Sequence, residues 1–360
     1  MKRFGVIMAG GGGTRFWPVS RFKTPKQLLN LSGDDALINE TINRICRLVN
    51  KDEIFIVTNE AQGKLLIETI DSIGGVADNI LYEPSARNTA AAVGYAAFAI
   101  KKRYGDGIMC VFPSDHYIKD VEGFGTTIEK AIEIAHIDEK LVTVGIKPSF
   151  PSTGYGYIKF DASSATRYKD LAFDVSEFIE KPGLETAKGF LDSGDYVWNS
   201  GMFVWKASRI LEEFQRFLPK VYDKLQEIYE AMGTDDELEV LRRVYPEITS
   251  ISIDYGIMER SSDVVVVPGD FGWNDVGSWD SLGAIFRTDE QGNILRGENI
   301  SIDTSNSVIY GNGRLIAAIG LENMIVVETE DSVLVCHKDK AQDVKKVVEF
   351  LQKNGRYDLL

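Results

Sequence analysis

The sequence predicts an α/β protein, a mostly parallel β-sheet flanked by helices, followed by a small β-rich C-terminal domain. Two observations carry that expectation. Strand-like apolar runs alternate with helix-like segments through the first part of the chain, the pattern of βαβ units whose crossovers cover both faces of a sheet. After about Arg287 this gives way to short β-branched runs separated by Gly, Asn, Asp and Glu turns.

The elements follow in order. Residues 4–8 read as a buried strand, and Leu37, Ile38, Ile42, Ile45 and Leu48 recur at helical spacing. Residues 54–57 form a second strand, 60–70 a helix and 80–82 a short strand. The alanine-rich segment 89–102 has high helix propensity. Residues 108–112 are a strand, 125–136 a helix and 141–144 a strand, while 154–160 and 171–179 are strands beyond the simple alternation. Residues 210–232 are expected as one long amphipathic helix and 264–267 as a strand of four valines. Further on, 300–302, 308–309, 315–319, 324–327 and 333–335 suggest a coil of short parallel strands, closed by a helix over 341–353. The boundary falls between residues 287 and 288, giving domains 1–287 and 288–360, and the lack of a Pro- or Ser-rich linker predicts that they pack together.

Composition narrows the functional classes. A net charge of −14 opposes binding to a nucleic-acid backbone, although a local basic pocket for a small anion is compatible with it. With no run of about 18 apolar residues, no membrane span is expected. The N-terminus shows no signal-peptide layout. Cys46, Cys110 and Cys336 are odd in number and lack metal-site spacing, which reads as reduced thiols in a cytoplasmic protein. His116, His136 and His337 form no ligand cluster.

The most informative stretch is "MAGGGGTRFWPVSRFKTPKQLL", residues 8–29, directly after the first strand. A glycine loop at the mouth of a parallel strand exposes amide donors suited to phosphate. The Walker pattern is absent, and a GxGxxG count from Gly10 ends on Arg15 and from Gly11 on Phe16. What remains is G-G-G-T-R, a short stretch, then Pro25-Lys26-Gln27.

That signature resembles the sugar-nucleotidyltransferase family, specifically its mannose-1-phosphate guanylyltransferase (GDP-mannose pyrophosphorylase) branch. Matching segments follow in order: "EPSARNTAAAV" at 83–93, "FPSDH" at 112–116, "GYGYI" at 154–158, "FIEKP" at 178–182, "WNSGMF" at 198–203, "SIDYGIME" at 252–259 and "DFGWNDVGSW" at 270–279. The resemblance implies a Rossmann-like nucleotide-diphospho-sugar transferase fold with a left-handed β-helix-like C-terminal domain. It implies transfer of GMP from GTP to α-D-mannose 1-phosphate, with Mg2+ as cofactor, giving GDP-mannose and pyrophosphate. Another hexose-1-phosphate pair, such as glucose 1-phosphate with UTP or dTTP, and a non-catalytic sugar-nucleotide-binding regulator are the alternatives. Some family members carry a further metal-binding isomerase domain, and no isomerase activity is expected of these 360 residues. The partners expected are these small molecules and a second copy in a homodimer, with no nucleic acid or membrane.

The chemistry says which residues to seek. A phosphate monoester has a second pKa near 6, so a sugar phosphate needs no strong general base. It needs positioning and charge neutralisation as two anions meet. Gly10, Gly11, Gly12, Gly13 and Thr14 can wrap the triphosphate with backbone donors. Arg15 offers a planar fork to phosphate, expected near the leaving pyrophosphate, and Lys26 a compact charge for the α-phosphate or the pyrophosphate. Asp115 closes a strand at the sheet end where ligands collect, and Asp275 lies in a Trp-Asn-Asp-Val-Gly turn; this pair suits a divalent ion, with substrate phosphates completing its shell. Glu83 is expected to accept from the N–H and NH₂ edge of guanine, with Asn88 or backbone groups reading the rest; Asn88 or Thr89 also suits a helix cap. The resemblance adds Ala9, Thr89 and Ser114 to the nucleotide site. It assigns Gly156, Glu180, Lys181 and Asn199 to the sugar phosphate, with Asp254 and Glu259 touching the sugar or orienting its loop. The tryptophans read as core or pocket walls, and His116 has no required proton to transfer.

Overall fold

The structure, a computed structural model, describes residues 1–31, 35–70, 74–168 and 171–360. Its first four strands, β1 (Arg3–Met8), β2 (Ile54–Asn59), β3 (Ile80–Glu83) and β4 (Ile108–Pro113), form a parallel array in the order β3-β2-β1-β4. Helices α1 (Leu37–Ile45), α2 (Glu60–Ile70), α3 (Asn88–Tyr104) and α4 (Val121–Ile137) are interleaved with them in sequence. Strand alternation separates two cores: Phe4, Val6, Phe55 and Val57 join the cluster containing α3, and Ile7, Ile54 and Ile56 join that containing α1 and α4. Helix α4 begins earlier than expected because Asp120 caps it, accepting from the amides of Glu122 and Gly123 at 3.1 and 3.0 Å.

Beyond the short strand β5 (Tyr117–Ile118) the sheet becomes mixed. Its remaining strands are β6 (Leu141–Ile146), β7 (Tyr157–Asp161), β8 (Phe173–Ile179), β9 (Tyr196–Lys206) and β10 (Val264–Gly269). The full order is β3-β2-β1-β4-β9-β6-β10-β8-β7, with β9 also reaching β7. β6 and β10 are parallel, whereas β9 runs antiparallel to β4 and β6. The sequence reading placed no strand at β9, because Asn199, Ser200 and Gly201 interrupt its apolar run. Those polar residues lie where the strand passes the functional cleft.

Helix α5 (Leu184–Ser193) precedes β9, and helices α6 (Ala207–Phe217), α7 (Pro219–Ala231) and α8 (Glu237–Val244) follow it. The single helix expected over 210–232 is therefore two. Pro219 lacks an N–H and displaces its predecessor from helical geometry, so Leu218 adopts φ −131°, ψ 52°.

After β11 (Trp273–Asn274), which pairs antiparallel with β5, the chain enters the coil. Strands β12 (Ile294–Arg296), β13 (Asn299–Ile302), β14 (Val308–Tyr310), β15 (Ile316–Ile319), β16 (Met324–Glu328) and β17 (Val333–His337) lead to helix α9 (Val344–Lys353). β12, β14 and β16 stack in parallel in one sheet and β13 and β15 in another, while β17 closes the first sheet antiparallel. Asn306 and Asn323 turn the corners at positive φ and hydrogen-bond each other. The inward residues Ile294, Val308 and Ile325 share one buried cluster with Phe16, Trp17, Trp279, Val344 and Val348. The coil thus packs on the glycine loop. Among the described residues, no helix is long and apolar enough to cross a membrane.

Candidate active site

Parallel strands β3, β1 and β4 deliver Glu83, the glycine loop and Ser114-Asp115 to one edge of the sheet. The loop is anchored by Ala9, whose carbonyl accepts from Gln27 Nε2 at 2.9 Å and Thr58 Oγ1 at 3.1 Å and whose amide donates to Val57. Ala9 therefore holds the loop and leaves the cavity lining to the glycines. At Gly13, φ is +60° and a Cβ would stand 2.3 Å from Lys26 Cβ, so only glycine lets the two halves of the signature pack together.

Two cavities of about 360 Å³ each meet at Asp115. Gly13, Thr14, Arg15, Lys26, His116, Asp275 and Gly277 line one, and Gly10, Gly11, Glu83, Asn88, Thr89 and Ser114 line the other. Gly12 faces neither and lines a groove with Trp17, Arg21 and Val348. Among the described residues Arg15 has no side-chain partner, which leaves its guanidinium available to an anion.

Lys26, expected as a compact charge for phosphate, is already engaged by neighbours in the protein. It is 5% exposed, its Nζ lies 2.9 Å from Asp115 Oδ2, and it donates to the Asp275 carbonyl at 2.7 Å. Two of its three donors are thus committed to joining the aspartate loops. The β5–β11 pair, Trp273 opposite Ile118, supplies the second join. Burial pushes the Asp115 carboxyl up, but the Lys26 ammonium beside it prevails and holds it below its ordinary value. Burial raises Asp275, which accepts from Tyr155 Oη at 2.8 Å and also feels Asp115. Two carboxylates around one cavity, one raised partly by the other's charge, suit a divalent cation. Among the described residues no cluster of three or more His, Cys, Asp or Glu could hold one, so substrate phosphates would complete its shell.

Behind Asp115, the buried Arg44 donates to the His116 carbonyl at 2.9 Å and to Thr41 Oγ1, which in turn donates to the Ser114 carbonyl at 3.1 Å. His116 Nδ1 accepts from Trp273 Nε1 at 3.0 Å, and burial drives its pKa down to about 3. It is a neutral structural imidazole. In the other cavity, buried Glu83 accepts from Tyr245 Oη at 2.5 Å, and burial raises its pKa. Asn88 opens α3 at φ +65°, its Oδ1 accepting from the Thr89 amide, and Thr89 Oγ1 accepts from the Ile253 amide at 2.9 Å.

Gly156, Glu180, Lys181 and Asn199 come together in a third group, next to the second cavity. A Cβ on Gly156 would lie 2.4 Å from Glu180 Oε2 and 3.3 Å from Asn199 Cβ. Lys181 Nζ pairs with Glu180 Oε1 at 2.6 Å. Asn199 Nδ2 donates to Asp254 Oδ1 at 2.8 Å, and Asp254 lines the second cavity, connecting the group to it. Burial and then the charge of Glu180 push Asp254 up to about 6, and the same two causes raise Glu259.

This loop and cleft have counterparts in known proteins. The family described as "Nucleotidyl transferase" matches residues 4–292. The chain belongs to that family. As a nucleotidyl transferase it acts on a nucleoside triphosphate and a sugar phosphate with a divalent metal. Residues 297–351 match the "MannoseP isomerase/GMP-like beta-helix domain". The mannose-1-phosphate guanylyltransferase of Escherichia coli K12 is 40% identical over 362 residues, covering 99% of this chain and 75% of that one. The xanthan biosynthesis protein XanB of Xanthomonas campestris strain B100 is 44% identical, covering 98% and 73%. Among solved structures, a protein described as a mannose-1-phosphate geranyltransferase from Thermus thermophilus superposes with a TM-score of 0.86 at 32% identity, covering 98% of this chain and all of that one.

Tyr155, Tyr245, Arg44 and Thr41 were not singled out from the sequence. Tyr155 sits inside the quoted "GYGYI", and Arg44 is a charge on the buried face of α1, between Ile42 and Ile45. Tyr245 carries no comparable signal.

Proposed function

We propose that this nucleotidyl transferase moves GMP from GTP to α-D-mannose 1-phosphate, forming GDP-mannose and pyrophosphate with Mg2+ as the divalent ion. The observation that carries the reading is the convergence of the glycine loop, Arg15, Lys26, Asp115 and Asp275 on one cavity that shares Asp115 with a second, lined by Glu83 and Asn88. The name of the Escherichia coli relative supports the choice of sugar and nucleotide.

The sugar phosphate arrives ionised, so its oxygen attacks the α-phosphorus without a side-chain base. Neutral His116, with Nδ1 already accepting, has no such role. The loop amides and Arg15 take up charge on the phosphates, and Arg15 takes the departing pyrophosphate. Lys26 fixes Asp115 and Asp275 relative to the collar, and its remaining donor is available to the transferring phosphate. Asp115 and Asp275 would hold Mg2+, which when bound neutralises phosphate charge. Glu83, oriented by Tyr245, accepts from guanine, while Glu180, Asn199 and Asp254 meet sugar hydroxyls.

Pyrophosphate release by the purified protein, with GTP, ATP, UTP and dTTP crossed against mannose 1-phosphate and glucose 1-phosphate, tests this. GTP with mannose 1-phosphate should give the highest kcat/KM and lose turnover with excess chelator. Faster turnover of glucose 1-phosphate with UTP or dTTP would overturn the substrate assignment, and no release from any pair would overturn the enzyme itself.

A further inference from the structure

One cation at the phosphate cavity is unused by the function proposed above. Lys345, the second residue of α9, lines the cavity together with Thr14, Arg15, Lys26 and Asp275. It comes from the C-terminal coil, more than 300 residues from the glycine loop.

The backbone that carries it is fixed to both sides of the cavity. Val344 and Val348, flanking Lys345 on α9, are buried against Phe16 and Trp17 just after the collar. Trp17 Nε1 donates to the Leu359 carbonyl at 2.9 Å, beyond the other end of α9. On the opposite side, Gln342 Nε2 donates to Ser278 Oγ at 2.6 Å, in the loop that carries Asp275. Lys345 is therefore presented to the cavity by a helix anchored on both catalytic loops.

Its charge is uncommitted. The adjacent Lys346 pairs with Asp343 at 2.8 Å, but among the described residues Lys345 forms no ion pair. Lys26 is already paired with Asp115 at 2.9 Å, which leaves Arg15 and Lys345 as the side-chain cations of this cavity without a carboxylate partner among the described residues. Position selects the phosphates concerned. Lys345, like Arg15, lines the cavity away from Glu83 and Asn88, whereas Asp115 lies at the junction. With the base beside Glu83 and the α-phosphate at the junction, that cavity receives the β- and γ-phosphates.

We propose that Lys345 binds the β- and γ-phosphates of the nucleoside triphosphate and the pyrophosphate they become. The coil thereby supplies a ligand group to the transfer site, in addition to packing against it. This rests on the functional reading above.

The test is reverse-direction kinetics, GDP-mannose plus pyrophosphate, with Lys345→Ala, Lys345→Glu and Lys345→Arg in the full chain. A charge-assisted contact to phosphate predicts a KM for pyrophosphate about 5–20-fold higher in the Ala variant, higher still in Glu and near parental in Arg. The KM for GDP-mannose, which has no γ-phosphate or free pyrophosphate to present, should move less than twofold, and the melting temperature should stay parental because the side chain is exposed. Parental pyrophosphate KM in both Ala and Glu variants, or equal rises for both substrates, would overturn the proposal. A parent protein that turns over in neither direction would instead overturn the functional reading, and this inference with it.

Discussion

Asp115 and Asp254, at opposite ends of the cleft, are shifted in opposite directions, although Asp275 beside Asp115 is raised by burial. At the end proposed for phosphate, Asp115 lies 2.9 Å from the Lys26 ammonium and is held below its ordinary range despite burial. At the sugar end, Glu180, Asp254 and Glu259 crowd together, and burial followed by the charge of Glu180 pushes Asp254 up to about 6. In the function proposed, the ionised Asp115 would balance metal and phosphate. Carboxyls near their protonation range suit hydroxyl groups, which both donate and accept.

The largest break in that contrast comes from removing its cation. Lys26→Met should lower kcat/KM by about 10²- to 10³-fold, as for loss of a preorganised charge, and should move the acid limb of the pH–rate profile to higher pH as Asp115 loses its neighbour. Steady-state pyrophosphate release across pH reads both effects. An unshifted acid limb would show that Lys26 does not control Asp115.

Glu83 sharpens the comparison at a third position, a buried carboxylate held by a tyrosine. In Glu83→Gln the preference for GTP over ATP should fall by about 10- to 100-fold, the scale of a charge-assisted hydrogen bond. Equal ratios of kcat/KM in the variant and parent would remove Glu83 from base recognition.

Gly156→Ala acts at the sugar end alone. The added methyl would stand 2.4 Å from Glu180 Oε2, displacing the carboxylate. The KM for the sugar phosphate should rise by about tenfold while that for GTP stays parental. A rise shared by both substrates would indicate general disruption instead.

The smallest effect is thermodynamic. Asp254 has a folded pKa of about 6 against an ordinary 3.8. Between about pH 4 and 6 the folded chain keeps a proton that the unfolded chain has released, so this group's contribution to stability falls as pH rises and levels off above that window. Asp254→Asn lacks the loss and can still accept from Asn199. Its melting temperature should gain on the parent by a few degrees from pH 4 to 6 and hold the gain above. A constant difference across that range would show that Asp254 titrates normally.

Much of this architecture was legible because the residues responsible are local. The parallel strands announce themselves as apolar runs, and the glycine loop precedes its Arg and Lys within one short stretch. β9 was hidden because Asn199, Ser200 and Gly201 erase strand character beside the cleft, Asn199 reaching Asp254 and Ser200 donating to the Val144 carbonyl inside the sheet. The break at Leu218-Pro219 was readable from proline chemistry, yet the amphipathic pattern continues across it and masks the change of direction. The partnership of Lys26 with the Asp275 carbonyl spans 249 positions, and no periodicity encodes such a contact. Lys345 is harder still, being one lysine among several on a surface helix until tertiary packing selects it.

Trp17 and Arg21 both donate to the carbonyl of Leu359, joining the region after the glycines to a main-chain oxygen near position 360. Every amino acid presents that same oxygen, so the latch itself does not depend on the side chain at 359, although the Leu359 side chain also packs against the cluster that holds Trp17 and Val348. Only shortening the polypeptide there, or replacing the peptide linkage by an ester, reaches it from that side.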